Sequence, residues 1–104
     1  MSELGADFAR ILREEARLII LKALGEQENE TLSSSMIEEI LPNFAIRQER
    51  AWIHQQMTYL RDMGAITVRD AGTVKIGTLT NLGRRHLDRD TTVEGIKRPS
   101  RKGE

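Results

Sequence analysis

The sequence predicts one small domain, mainly α-helical with a small antiparallel β-hairpin. Apolar residues recur at helical spacing in three stretches before residue 64. After Gly64 the pattern turns strand-like on both sides of a glycine-containing turn. The length of 104 residues leaves room for a single core, because a domain of this size hides only about 60–70% of its extended chain's surface.

In the first helix, expected from Leu4 to Leu24, one stripe holds Leu4, Phe8, Ile11, Leu12, Ala16, Ile19 and Ala23. Leu18, Ile20, Leu21 and Leu24 lie outside that stripe, so the last turns are apolar nearly all round and need cover from several sides. They suit a central helix or a dimer seam, with Ile20 and Leu24 as seam residues. Gly25 is expected to end the helix in the left-handed conformation, and Glu26 to Glu30 reads as a polar linker. A second, shorter helix opens at Ser33-Ser34-Ser35 and carries Met36, Ile37, Ile40 and Leu41. Ser35-x-x-Glu38 fits a capping box, whereas Leu32 with Ile37 fits a hydrophobic staple around Ser33. Pro42 is expected to close this helix.

The third helix ends at Met63, before Gly64, and begins anywhere from Phe44 to Glu49, since no clear N-cap marks its start. Ile46, Ile53, Met57 and Leu60 share one face. The opposite face carries Arg47, Gln48, Ala51, Gln55 and Thr58, flanked by Trp52 and Tyr59 on one side and His54 and Arg61 on the other. Strands over 65–69 and 73–79 flank Asp70-Ala71-Gly72 as a hairpin. Thr80 can cap a last helical piece to about Arg89, with Leu82 and Leu87 inward. Residues 91–104 offer only Val93 and Ile96 for burial, so the expected division is a folded domain over 1–90 and a flexible basic tail over 91–104.

With no cysteine, disulfide frameworks, zinc knuckles and thiol nucleophiles are excluded. His54 and His86 have no second ligand arranged beside them, the serines at 33–35 lack a His-plus-acid pair, and no phosphate-binding loop is present. The longest apolar run, Leu18-Ile19-Ile20-Leu21, is far short of a membrane span, and the acidic start is unlike a signal peptide. The expectation is a cytoplasmic, non-enzymatic protein with no cofactor, no metal and no membrane partner.

The 16 basic and 16 acidic side chains cancel overall. Up to Asn43 there are nine acids and four bases, a balance of −5; from Phe44 onward seven acids and twelve bases give +5. Twelve of the sixteen bases are Arg, the side chain that forks bidentately onto phosphates and guanine. The C-terminal portion is therefore the candidate binding face.

Three helices followed by a hairpin is the element order of a winged helix-turn-helix. Leu60-x-x-x-Gly64-Ala65-Ile66 and Leu79-Thr80-x-x-Gly83 resemble signatures of winged-helix bacterial regulators, and the ending Gly95-Ile96-Lys97-Arg98-Pro99-Ser100 is similar to small winged-helix proteins of Mu-like phages and prophages. In that architecture the third helix enters the major groove. Arg47, Gln48, Ala51, Gln55 and Thr58 would face bases; Arg69, Lys75, Arg84, Arg85, Lys97 and Arg98, with Arg101 and Lys102, would meet phosphates or an adjacent minor groove. This implies double-stranded DNA as partner, a homodimer, and transcriptional regulation. Trp52 and Tyr59 suit a helix contact or a partner interface better than base stacking. The second reading is a protein-interaction module that uses this aromatic flank to hold a phage or host protein, without DNA binding.

Overall fold

The computed structural model describes residues 3–101, with side chains from residue 5 onward; Lys102 of the expected basic tail lies outside the described residues. Helix α1 (Glu3–Glu26) leads to a short strand β1 (Thr31–Ser33), helix α2 (Ser34–Ile40), a 3-10 turn (Leu41–Phe44) and helix α3 (Arg50–Asp62). Strands β2 (Ile66–Ala71) and β3 (Val74–Leu79) form the hairpin, and helix α4 (Asn81–Leu87) follows. Four helices thus pack with one three-stranded antiparallel sheet, ordered β1-β3-β2. No described helix is long and apolar enough to cross a membrane.

The apolar last turns of α1 are the centre of the fold. Ala16, Ile20, Leu21 and Leu24 are fully buried and meet Ile37, Leu41, Ile53, Met57 and Leu60 from the neighbouring helices and Ile66 and Leu79 from the sheet. Each of the Ile, Leu and Met side chains among these contributes about 1.5–3 kcal/mol by leaving water. Ile20 and Leu24 are therefore covered within the chain, which corrects their assignment to a dimer seam. Gly25 does not end α1. It lies inside the helix, where a Cβ would stand 3.1 Å from Leu87, so it serves close approach of α4.

Ser33 caps α2, its side chain accepting from the Met36 amide at 3.3 Å, so the staple register describes this start. As expected, α2 closes ahead of Pro42, ending at Ile40 with Leu41 as its C-cap; Pro42 then sits in the first turn of the 3-10 segment, a position that needs no amide hydrogen. Ala45, at φ 63°, then reverses the chain. Strand β1 was not foreseen: it is three residues long and pairs with β3 through Thr31↔Thr78, Leu32↔Gly77 and Ser33↔Ile76. In the hairpin, Ala71 faces Val74 across the two-residue turn Gly72-Thr73, with Gly72 at φ 63°. Thr80 caps α4 by accepting from the Gly83 amide at 3.1 Å.

The expected flexible tail over 91–104 is corrected for residues 91–100. Val93 and Ile96 are buried in the core, and the segment is tied down by polar groups from three helices. His86, completely buried on α4, accepts from the Val93 amide at Nδ1 (3.0 Å) and meets the Lys97 carbonyl at Nε2 (2.9 Å). Because an amide only donates, this imidazole is the neutral tautomer with its hydrogen on Nε2. Arg17 donates to the Gly95 carbonyl at 2.8 Å, Tyr59 to the Glu94 carbonyl at 2.8 Å, and the Lys97 amide to the Glu14 carbonyl at 3.2 Å. Arg89 donates to the Pro99 carbonyl. A sequence window with two apolar residues gives no sign of this, because the attachment is made mainly through backbone groups.

Candidate nucleic-acid interface

Helix α3 buries Ile53, Met57 and Leu60 completely, and Gln56 almost so. The Gln56 amide is satisfied rather than stranded, accepting from Arg17 at 3.0 Å and donating to the Trp52 carbonyl at 3.3 Å. This fixes which face of α3 looks outward. Ala51 and Gln55 are exposed there, with Thr58 half-buried farther along.

Arg47 and Gln48 are not on this helix. α3 begins at Arg50 with Glu49 in the N-cap position, where it makes no side-chain capping bond. The chain is non-helical from residue 45 because Ala45 takes the left-handed conformation and Ile46 is drawn into the core. Even so, Arg47, Gln48, Ala51 and Gln55 come together, lining an open groove of about 730 Å³ with Trp52 and Pro42. Glu38 and Glu49 border the same groove. Arg50 reaches back to Glu38 through both Nε (3.2 Å) and Nη2 (3.0 Å), locking α2 against α3. The sequence reading gave Glu38 only a capping-box role and missed Arg50; their twelve-residue separation spans two helices and gives no local signal.

A polar junction ties α3 to α2 and the sheet. The buried Ser34 hydroxyl accepts from the Lys75 amide at 3.0 Å and meets His54 Nε2 at 2.8 Å, joining α2, α3 and β3. Burial, followed by the charges of Lys75 and Arg50, holds the His54 pKa below its ordinary value. Trp52 packs partly against the core while lining the groove. Tyr59 is used within the chain: its ring lies 3.6 Å from the Arg17 guanidinium carbon and its hydroxyl holds Glu94. This is the helix contact among the two alternatives expected for Tyr59, made to Arg17 on α1.

The residues expected on phosphates fall into two sets. Lys75 pairs with Asp70 at 2.8 Å, Arg84 with Glu30 at 2.7 Å and Lys97 with Glu15 at 2.7 Å. The hydrogen bond from Lys75 lowers the Asp70 pKa, as expected for a carboxylate held in its charged form. Arg69, Arg85 and Arg98, together with Arg47 of the base-facing set, are exposed, and none of these side chains has a hydrogen bond or ion pair among the described residues. Of the expected DNA contacts, these four are the ones available to an anionic ligand without breaking an existing pair.

Comparison with known proteins adds one relative. The chain is 29% identical over 89 residues to the "Uncharacterized protein gp26" of Escherichia phage Mu, a match covering 86% of this chain and 92% of that protein. This supports a Mu-like phage origin. The match takes in more than the signatures at 60–66 and 79–83 alone, since it extends over most of the folded residues. No family profile and no solved structure matches the chain.

Proposed function

We propose that the chain is a winged helix-turn-helix protein that binds duplex DNA without catalysis, as a homodimer, and serves as a phage-type transcriptional regulator. One observation carries the reading: α3 packs against α2 and the sheet by one face and leaves Arg47, Gln48, Ala51 and Gln55 together on an open groove. The three-stranded sheet with its hairpin beside α3 is consistent with a wing. In a major groove Arg47 suits guanine, Gln48 and Gln55 suit adenine, and Ala51 permits close approach. Arg69, exposed on β2, suits a phosphate.

The internal pairing of Lys75, Arg84 and Lys97 leaves few cations for the backbone. Binding by such a surface depends on base contacts and on doubling through a dimer. In fluorescence titrations of duplexes selected from phage genomic fragments, Arg47→Ala with Gln55→Ala weakens binding by about 30-fold or more, since the variant removes two base contacts, each worth about 1–3 kcal/mol. Unchanged affinity in that double variant overturns the assignment.

A specific observation also favours the second reading, a protein-binding module. Glu38 and Glu49 share the groove with Arg47 and Trp52, a mixture of charges around an indole that suits a peptide surface. Under it, Trp52→Ala removes capture of the partner, and the wild-type chain binds neither random nor genomic duplex.

A further inference from the structure

The first turns of α1 project beyond the core. Residues 5–11 are all exposed, Phe8 at 64% and Ile11 at 53% among them. Phe8, Ile11, Glu15, Ile19, Lys22 and Glu26 recur at spacings of three and four along one side of this helix. At the other end of the same side lies a mainly apolar groove of about 480 Å³, where Ile19, Ala23, Ile40 and Phe44 line it together with the polar Lys22, Glu26, Gln27 and Asn43. Phe44 is itself 56% exposed. One helix face thus carries an uncovered apolar projection at one end and an apolar recess at the other.

We infer that this face of α1 is the interface of an antiparallel homodimer, in which Phe8 and Ile11 of each copy enter the Ile19–Phe44 groove of the other. A two-fold axis crossing α1 near residue 17 sets both ends against their complements at once, which a heterologous contact does not achieve. Positions 8 and 26 are roughly 27 Å apart along a helix. The charges agree with this arrangement. Lys22 has no partner among the described residues, while Glu15 uses only Oε2 to hold Lys97. Antiparallel pairing brings Lys22 of one copy within reach of Glu15 of the other, twice by symmetry. A seam along the 24 residues of α1, roughly 36 Å, has the length to approach the about 800 Å² per partner of a stable interface.

This inference deepens the homodimer part of the proposed function and replaces Ile20, Leu24 and Tyr59 with a different surface. It is tested without nucleic acid, so its failure is distinguishable from a failure of DNA binding. Size-exclusion chromatography with light scattering at tens of micromolar should give twice the 11.8 kDa chain mass. Phe8→Asp with Ile11→Asp should return it to 11.8 kDa with an unaltered far-ultraviolet spectrum, because both sites lie outside the core. Lys22→Glu should weaken the dimer about tenfold. The chain has no cysteine, so Ile11→Cys with Ala23→Cys should yield a covalent dimer on mild oxidation. A monomeric mass at every concentration overturns the inference, as does a dimer that persists unchanged in the Phe8→Asp/Ile11→Asp variant.

Discussion

The two ends of the chain behave in opposite ways. The first turns of α1 have the stronger hydrophobic pattern, yet Phe8 and Ile11 stand in solvent. Residues 91–100 have almost no pattern, yet Val93 and Ile96 are in the core and their backbone is held by His86, Arg17 and Tyr59. Periodicity reports a capacity to bury surface, whereas attachment depends on what the rest of the chain presents. At the C-terminal end a buried imidazole and a guanidinium supply partners for backbone groups; at the N-terminal end the described residues leave Phe8 and Ile11 largely uncovered.

The largest expected effect tests the C-terminal clasp. His86→Ala leaves the Val93 amide and the Lys97 carbonyl without their partner and opens a cavity, so urea unfolding should show a loss of about 3 kcal/mol or more. Gly95→Ala should follow closely. Gly95 sits at φ 83° and an added Cβ would fall on the Tyr59 hydroxyl, so about 2–3 kcal/mol should be lost. Arg17→Met should cost about 2 kcal/mol, since it removes the bonds to Gln56 and Gly95 and the stacking on Tyr59. At the other end, Phe8→Ala should change the unfolding free energy of the monomer by less than about 0.5 kcal/mol. Equal losses at Phe8 and His86 would abolish the contrast.

The smallest effect concerns pH. Folding lowers the His54 pKa, chiefly by desolvation, so the folded state takes up the proton less readily than the unfolded chain. The associated stability is fully present above the ordinary histidine value of about 6.5 and is lost as pH falls through the lower folded value. Thermal melts of wild type and His54→Asn between pH 7.5 and 5 should therefore converge as the pH drops. Wild-type stability that instead rises relative to the variant contradicts the junction with Ser34 and Lys75.

Much of the architecture was legible because it follows from local chemistry. Ser33 and Thr80 cap their helices, Gly64 ends α3, and the hairpin turns at Gly72. The α3 inner face was readable from Ile53, Met57 and Leu60. What was illegible depends on distant partners: β1 exists because β3 offers it an edge, and the clasp exists because His86 is buried beside it. The candidate site was legible as a set of residues but not as a helix face, because the left-handed Ala45 and the burial of Ile46 pull Arg47 and Gln48 onto a preceding strand of coil. Nor did composition reveal that three of the expected phosphate contacts are already matched by Asp70, Glu30 and Glu15.

That pairing makes the salt dependence of duplex binding the most direct test of the account. With Arg47, Arg69, Arg85 and Arg98 as the available cations, the logarithm of the binding constant should fall against the logarithm of salt concentration with a slope between about −2 and −4 per chain. A flat response, or no binding to any duplex, contradicts the DNA reading. A slope twice as steep contradicts the internal pairing from which the estimate comes.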